Sequence, residues 1–555
     1  MKRKVLKLGA QALGLFFFLL ALTASAQTEL TAEEWQQDLT FLQNTVHKDY
    51  PFLFKKISAE EWDAQVKELH EAIPGMQPHE ILIGFARIAS AFEYGHTSFG
   101  LRQDRVPLHR LPIVLYQFDD GVYITGALKN NEDLVGARLI SIEGMPIEEV
   151  QKKVRAVVPA ENDQFVKAYG VNYPTIPEIL HAQGVINELK LELSLELEKD
   201  GTRFEKSVKA AAWEDIPRHY GMVIPGKKWV GVRDVSETPL YLKNLEKIYY
   251  YEYLPEHKTL YVRQSQIQDQ EGEDIPTFYK KVFDYIDNHD VEKLVLDVRL
   301  NGGGNNYKNK PVITGIIANE KINQTGKFMV IIGRRTFSAC MNLVNELDTY
   351  TNAIFVGEPT GENVNFYGDN RPVTMPNSGL NAFLSFAWWQ DKPQWENKDW
   401  LAPHIATGMT FEQYRTNQDP ALEAALAFDD ENFISDPMGY ITDLWEAGKM
   451  EELQSETLRM IQDPNYGFFE FEKEFNKAGY QLLDAKRFEE AIGVFTMNSQ
   501  YFSDSANVWD SLAEAYWRAG DKVKAEEYYQ KAIGMDPEGS VGDNAREMLK
   551  RMKSE

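Results

Sequence analysis

From Leu30 to about Leu101, apolar residues recur at spacings of three and four, the period of an amphipathic helix. LTAEEWQQDLTFLQNTVHKDYP reads as one helix, stopped by Pro51. SAEEWDAQVKELHEAI reads as a second, with Ser58 and Glu61 at the spacing of a capping box. PHEILIGFARIASAF is a third, and its period breaks at Gly95 in EYGHTSFGL. Residues 27–104 are therefore expected to form a helical bundle. From about Pro107 to Ala212 the pattern changes to short strands: LPIVLYQF, GVYITGAL, ARLISIEG and LKLELSLEL, with the single helix IEEVQKKVRAVV among them. A β module is expected over 105–215. From about Lys228 to Phe428 strands and helices alternate, which predicts an α/β core over 216–430. Within it KLVLDVR, FMVIIG and AIFVGE are continuous apolar runs, as in strands covered on both faces. IPTFYKKVFDYIDNH and SACMNLVNELDTY carry the helical period.

The tail repeats itself. FNKAGYQLLDAKRFEEAIGVF and VWDSLAEAYWRAGDKVKAEEYY superpose at a period of 34, so that Phe475 matches Trp509, Gly479 matches Ala513 and Phe495 matches Tyr529. Trp509, Leu512, Tyr516, Gly520, Ala525, Tyr529, Ala532 and Pro537 fall where a tetratricopeptide repeat places them. Residues 431–555 are expected to be such a helical tail. Two repeats are fewer than the three or more that usually stand alone, so the tail is expected to lean on residues 435–465 or on the core.

The chain has 555 residues and a formal net charge of −25. That acidity repels phosphate backbones and argues against nucleic acid as a general partner. The N-terminus changes the picture. MKRKVLK is basic, LGLFFFLLAL is apolar and TASA ends in small residues, the three parts of a secretory signal over 1–26. Removing it takes four basic residues and no acid, leaving −29. The apolar run is short for a span, which needs ~20 residues. The expectation is a soluble, exported protein, periplasmic or secreted. A lone Cys340 excludes an internal disulfide framework and a cysteine-rich zinc site. No histidine pattern marks a metal site, and no cofactor is expected.

Two stretches could carry chemistry. In KLVLDVRLNGGGNN a buried strand runs into Gly302, Gly303 and Gly304, where backbone N–H groups can approach a ligand closely. The spacing fits neither the dinucleotide fingerprint nor a P-loop. In FMVIIGRRTFSACMNLVNEL a strand turns through Arg334–Phe337 into a helix headed by Ser338. That serine reads either as a helix cap or as a nucleophile beside first-turn N–H groups. Thr336 and Cys340 on its flanks exclude a Gly-x-Ser-x-Gly elbow.

The order Asp-Val-Arg-x-Asn-Gly-Gly-Gly, then Thr-Phe-Ser-Ala at a helix start, then VGEPTGENVN, resembles the tricorn-like and C-terminal processing serine peptidases of the Clp-protease/crotonase superfamily. DLVGARLISIEGMPIEEV resembles a PDZ module, which binds peptides. The resemblance implies a multidomain α+β chain: helical bundle, PDZ-like module, Clp/crotonase-like α/β core and repeat tail. It implies Ser338 as nucleophile, with the N–H groups of Gly303 and Ala339 as oxyanion hole. The processing proteases take their base from a lysine in the stretch that here reads VGEPTGENVNFYGD. It holds no lysine; Glu362 and Asn363 stand there instead. The tricorn-like arrangement takes a histidine from the N-terminal bundle, and EYGHTSF offers His96. PQWENKDWLAPHI supplies Glu396 as the supporting acid. Arg299 is expected to form an ion pair under the glycine loop and Asn301 to brace it, with Gly302, Gly304 and Asn363 completing the support. The expected reaction is peptide hydrolysis through an acyl-enzyme, with peptides or unfolded proteins as substrate and a protein partner on the repeats. Two other readings use the same segments: a peptide-binding protein that cuts nothing, and a carrier with an enclosed apolar pocket beside Gly302–Gly304.

Overall fold

The computed structural model describes residues 29–102, 105–212, 216, 218–234, 236–396, 398–428 and 433–554. The expected export signal, 1–26, lies outside the described residues. Helices α1 (Ala32–Asp49) and α2 (Ala59–Ala72) each start at a complete capping box, Thr31 with Glu34 and Ser58 with Glu61. Each buries one stripe, Trp35, Leu39, Leu42 and Val46 on the first and Trp62, Val66 and Leu69 on the second. Helix α3 (Pro78–Ser90) is apolar almost all round and is buried along most of its length.

The second unit is a seven-stranded antiparallel sheet whose five longer strands are β1 (Ile113–Phe118), β2 (Gly121–Leu128), β3 (Arg138–Ile142), β4 (Glu192–Lys199) and β5 (Thr202–Lys209). Helix α4 (Ile147–Val154) is the one helix that the strand pattern allowed. The structure adds short helical turns between Arg155 and Ala182, which carry too few residues each to show a period. One of them reaches the core, where Asn162 donates to the Thr360 and Asp399 carbonyls.

The α/β core holds a six-stranded sheet in chain order: β6 (Tyr249–Leu254), β7 (Thr259–Gln264), β8 (Lys293–Asp297), β9 (Phe328–Ile332), β10 (Ile354–Gly357) and, after a hairpin, β13 (Ile405–Ala406). Only β6 and β7 are antiparallel; the rest run parallel. All residues of β9 and β10 are buried, as their unbroken apolar runs require. Helices α5 (Ile275–Asn288), α6 (Lys310–Ala318) and α7 (Ala339–Tyr350) connect successive strands.

The intervening hairpin, β11 (Phe366–Thr374) with β12 (Asn381–Trp389), is an element that the periodicity left unassigned. Its first strand, FYGDNRPVT, is full of turn-forming residues and reads locally as loop. Tertiary pairing overrides that: Ser98 and Phe99 add to β12 opposite Phe383 and Ala382. As a result the helices, the second unit and the hairpin share one apolar core, which contains Leu39, Phe85, Ile113, Leu195 and Leu384.

In the tail, helices α8 (Pro437–Glu446) and α9 (Met450–Gln462) precede the repeat helices α10 (Phe471–Asp484), α11 (Phe488–Tyr501), α12 (Ala506–Arg518), α13 (Lys522–Met535) and α14 (Ser540–Ser554). Ile441, Leu444, Leu453 and Met460 pack with Phe471, Phe475 and Val494, so residues 435–465 supply the neighbour that two repeats lack. Among the described residues no helix is long and apolar enough to cross a membrane.

Candidate active site

Three loops leave the carboxyl ends of the parallel strands β8, β9 and β10, the usual crevice for a site in such a sheet. The first carries the glycines. Arg299 is held there by Asp297 and by both oxygens of Asp419, at 2.7 and 3.1 Å. Asn301 donates to the Gln264 carbonyl at 3.0 Å, and its own carbonyl accepts the Phe337 N–H at 3.1 Å. It thus ties the glycine loop to both β7 and the serine turn.

Gly303 has φ +97°, and a Cβ there would lie 2.6 Å from Ser338 Cβ and 2.9 Å from the Ala339 nitrogen. Only glycine allows the two loops to touch this way. The expected oxyanion pair is differently occupied, however. The Gly303 N–H donates to Asn301 Oδ1 at 3.0 Å, whereas the Ala339 N–H, in the open first turn of α7, donates to no acceptor among the described residues.

Ser338 stands at the N-cap of α7 with φ +56° and ψ −131°, and its hydroxyl makes no capping bond. A cap serine has extended φ and bonds the N2 or N3 N–H. Ser338 does neither, and a non-glycine residue in this region stores about 1–3 kcal/mol of strain, a burden concentrated at functional sites. Its backbone N–H donates to Glu362 Oε2, on the third loop.

His96 reaches this point from the loop after α3. Thr97 anchors that loop by donating to Ser385 Oγ of β12 at 2.8 Å, with the Ser385 N–H returning to Thr97 Oγ1 at 3.2 Å. The imidazole lies on Phe337, with ring centroids 4.8 Å apart. Its Nε2 is 3.4 Å from Glu362 Oε1, and neither atom has a hydrogen-bond partner although both are buried. No hydrogen bond joins Ser338 Oγ to His96. Burial lowers the pKa of His96, with Glu161 and Asp369 pulling the other way, and burial raises that of Glu362 well above the carboxylate range, with the Ser338 N–H opposing. Burial thus disfavours the charged form of both groups.

Glu396 is elsewhere. Its side chain is 37% exposed, against 0% for Glu362. It pairs with Lys55 Nζ at 2.7 Å and accepts from Gln390, and Lys55 holds its carboxyl below the ordinary range. The acid that faces the histidine is Glu362, in the lysine-like position after β10. That signal lay in the sequence, as an acid in a glycine-rich stretch where a base was expected. Asn363 donates its N–H to Glu161 Oε2 at 3.0 Å. Glu161, from the second unit, had no such signal: nothing in its local pattern distinguishes it from a solvated acid.

Beside the glycine loop a cavity of about 390 Å³ opens, lined by Tyr169, Leu300, Gly333, Arg335, Glu358 and Met409. Arg334 pairs with Glu358 in its wall at 2.9 and 2.5 Å. The cavity carries fixed charge, unlike the enclosed apolar pocket expected of a carrier. Among the described residues no cluster of three or more His, Cys, Asp or Glu could hold a metal.

Comparison with known proteins gives the following. The tetratricopeptide repeat family matches residues 506–538. No curated protein matches the chain. Among solved structures, mature CPAF is 14% identical, covering 73% of this chain and 100% of its own, with a TM-score of 0.46. A protein from Parabacteroides merdae is 13% identical over 73% of this chain and 100% of its own, with a TM-score of 0.37. The photosystem II D1 C-terminal processing protease is 12% identical over 70% and 98%, with a TM-score of 0.33.

Proposed function

We propose that this chain is an exported serine peptidase that cleaves peptide bonds through an acyl-enzyme on Ser338, with His96 as general base and Glu362 as the acid behind it. The observation that carries this reading is the Ser338 backbone. It has positive φ at a helix N-terminus and a hydroxyl that caps nothing, beside a His–Glu pair whose facing atoms are buried. Strain of that kind presents a side chain, whereas a cap would relax it.

In the reaction Ser338 Oγ forms a bond to the peptide carbonyl carbon and its proton passes to His96. The carbonyl oxygen becomes an oxyanion, held by the Ala339 N–H at the positive end of α7. The Gly303 N–H joins it once Asn301 Oδ1 lets go. The imidazolium then gives its proton to the leaving amine as the C–N bond breaks. Water, deprotonated by the same histidine, attacks the ester and releases the acid and Ser338. Arg299, Asn301, Gly302, Gly304 and Asn363 keep the loops in register, and the 390 Å³ cavity is the room for substrate side chains. The repeats offer a surface for a protein partner.

The test is a fluorophosphonate probe with mass mapping, run beside casein hydrolysis. Parent protein is labelled on Ser338 and degrades casein; Ser338→Ala does neither. One observation favours a second reading, a peptide-binding protein without hydrolysis: Ser338 Oγ and His96 are not hydrogen-bonded, and the Gly303 N–H is engaged. Catalytic hydrogen bonds often tighten only with substrate. A parent that binds peptides yet is never labelled would replace the peptidase reading by this one.

A further inference from the structure

The two loops that bring His96 and Glu362 together are joined by a third group that belongs to neither. Glu161 Oε1 accepts the Gly95 N–H at 2.9 Å, and Oε2 accepts the Asn363 N–H at 3.0 Å. Gly95 precedes His96, and Asn363 follows Glu362. One buried carboxylate thus bridges the backbone next to both members of the pair. Its neighbours in the chain make the same crossing. Asn162 donates to the Asp399 carbonyl at 2.7 Å and to the Thr360 carbonyl at 3.3 Å, while its Oδ1 caps Phe165. The Phe165 ring lies 5.6 Å from that of Phe337, and a Cβ on Gly95 would fall within 2.7 Å of both rings. Residues 161–165 are a wedge of the second unit driven between the histidine loop and the serine turn.

We infer that Glu161 is a positioning residue, which sets the His96–Glu362 geometry by holding the two loops through one bidentate carboxylate, so that the site is assembled only when the second unit is docked. The inference rests on the reading of Ser338, His96 and Glu362 as the reacting groups. A carboxylate is also an unusual choice for the task. A buried amide would cost less electrostatically but has a single acceptor oxygen, whereas here each N–H meets an oxygen of its own, at 2.9 and 3.0 Å. The surroundings make the ionised form costly. Burial and the like charge of Glu362 push Glu161 up to about 8, with Lys56 and the two N–H groups opposing. Lys56, Tyr94 and His96 face it from the helical unit and Glu362 from the core. Lys55, Glu93, Glu396 and Asp399 complete the charges of the 330 Å³ cavity on its outer side. Since the ionised form accepts both N–H groups best, the loops are held most firmly above that pH.

The experiment compares parent, Glu161→Gln and Glu161→Ala as full-length protein. Hydrogen exchange is followed in peptides covering 93–97, 361–365 and strand β9, and Ser338 labelling by fluorophosphonate is followed from pH 6 to 9. The expected result is at least tenfold faster exchange at Gly95 and Asn363 in Glu161→Ala, with β9 unchanged. In the parent the labelling rate rises between pH 7 and 9, and in Glu161→Gln that rise is absent. Unchanged exchange at the two amides, or equal acceleration in β9, overturns the inference, as does a parent-like pH profile in Glu161→Gln. A parent that is never labelled removes the peptidase reading, while the exchange arm still decides whether Glu161 holds the loops.

Discussion

Glu362 and Glu396 are the same side chain 34 positions apart, and the fold treats them in opposite ways. Glu362 is sealed between the Ser338 backbone and His96, and burial raises its pKa. Glu396 stands at the rim, and Lys55 lowers its pKa. An acid that is to orient an imidazole and stabilise its charged form needs the first environment, where it faces the ring away from water. The second environment fixes a charge and does no proton work. Which of two acids belongs to a site is thus decided by burial and by the N–H groups that face it, and neither is visible in a local motif.

The largest effect that this contrast predicts is at Glu362. Glu362→Gln holds the neutral form at every pH, so the Ser338 labelling rate falls most at high pH, where ionisation of the raised carboxyl is favoured. The expected loss is about 100-fold at pH 9, in the range of a lost acid–base contribution, and several-fold less at pH 6.5. Labelling rates measured across that span decide it, and an equal loss at both ends would mean that the carboxyl only fills space.

A smaller effect is the position of the acid limb in the parent. Burial lowers His96 below its usual 6.5, so the imidazole stays neutral, and able to accept the serine proton, at pH values where a solvated histidine is charged. Labelling therefore begins to fail below pH 6.5. The second inflection, toward pH 8, belongs to Glu161, which burial and the charge of Glu362 push up. A single inflection at 6.5 would place the histidine in water and undo the contrast.

The same distinction explains what the sequence could tell. Periodicity is local, so α1, α2 and the repeats could be read directly, as could the unbroken strands β8, β9 and β10. Ser338 and His96 were marked by order and by breaks in period. The hairpin β11–β12 was hidden, because Gly368, Asp369, Asn370 and Pro372 argue for a loop until Ser98 and Phe99 pair with it. Glu161 was hidden for the same reason at the level of one residue: its partners, Gly95 and Asn363, lie 66 and 202 positions away. The spent Gly303 N–H was also out of reach, since motif spacing places a backbone atom but not the acceptor it turns toward.

The smallest predicted effect is the sharpest test of the contrast. Glu396→Gln removes one ion pair at a rim where both partners are more than a third exposed, 38% for Lys55 and 37% for Glu396. Such pairs contribute ~0–1 kcal/mol and are screened by salt. Gln keeps an acceptor for Gln390 and leaves nothing buried without a partner. The expected outcome is a labelling rate within about threefold of the parent at every pH, that range being a shift of the same size as the pair's ~0–1 kcal/mol, with both inflections in place. Because Glu396 lines the outer cavity that also holds Glu161, its charge can move the upper inflection slightly downward on removal. Loss of one negative neighbour makes it easier to ionise Glu161, and added salt erases that shift. A loss as large as that of Glu362→Gln would instead mean that Glu396 swings inward to His96 when substrate binds. The rim and the buried loop would then have exchanged roles.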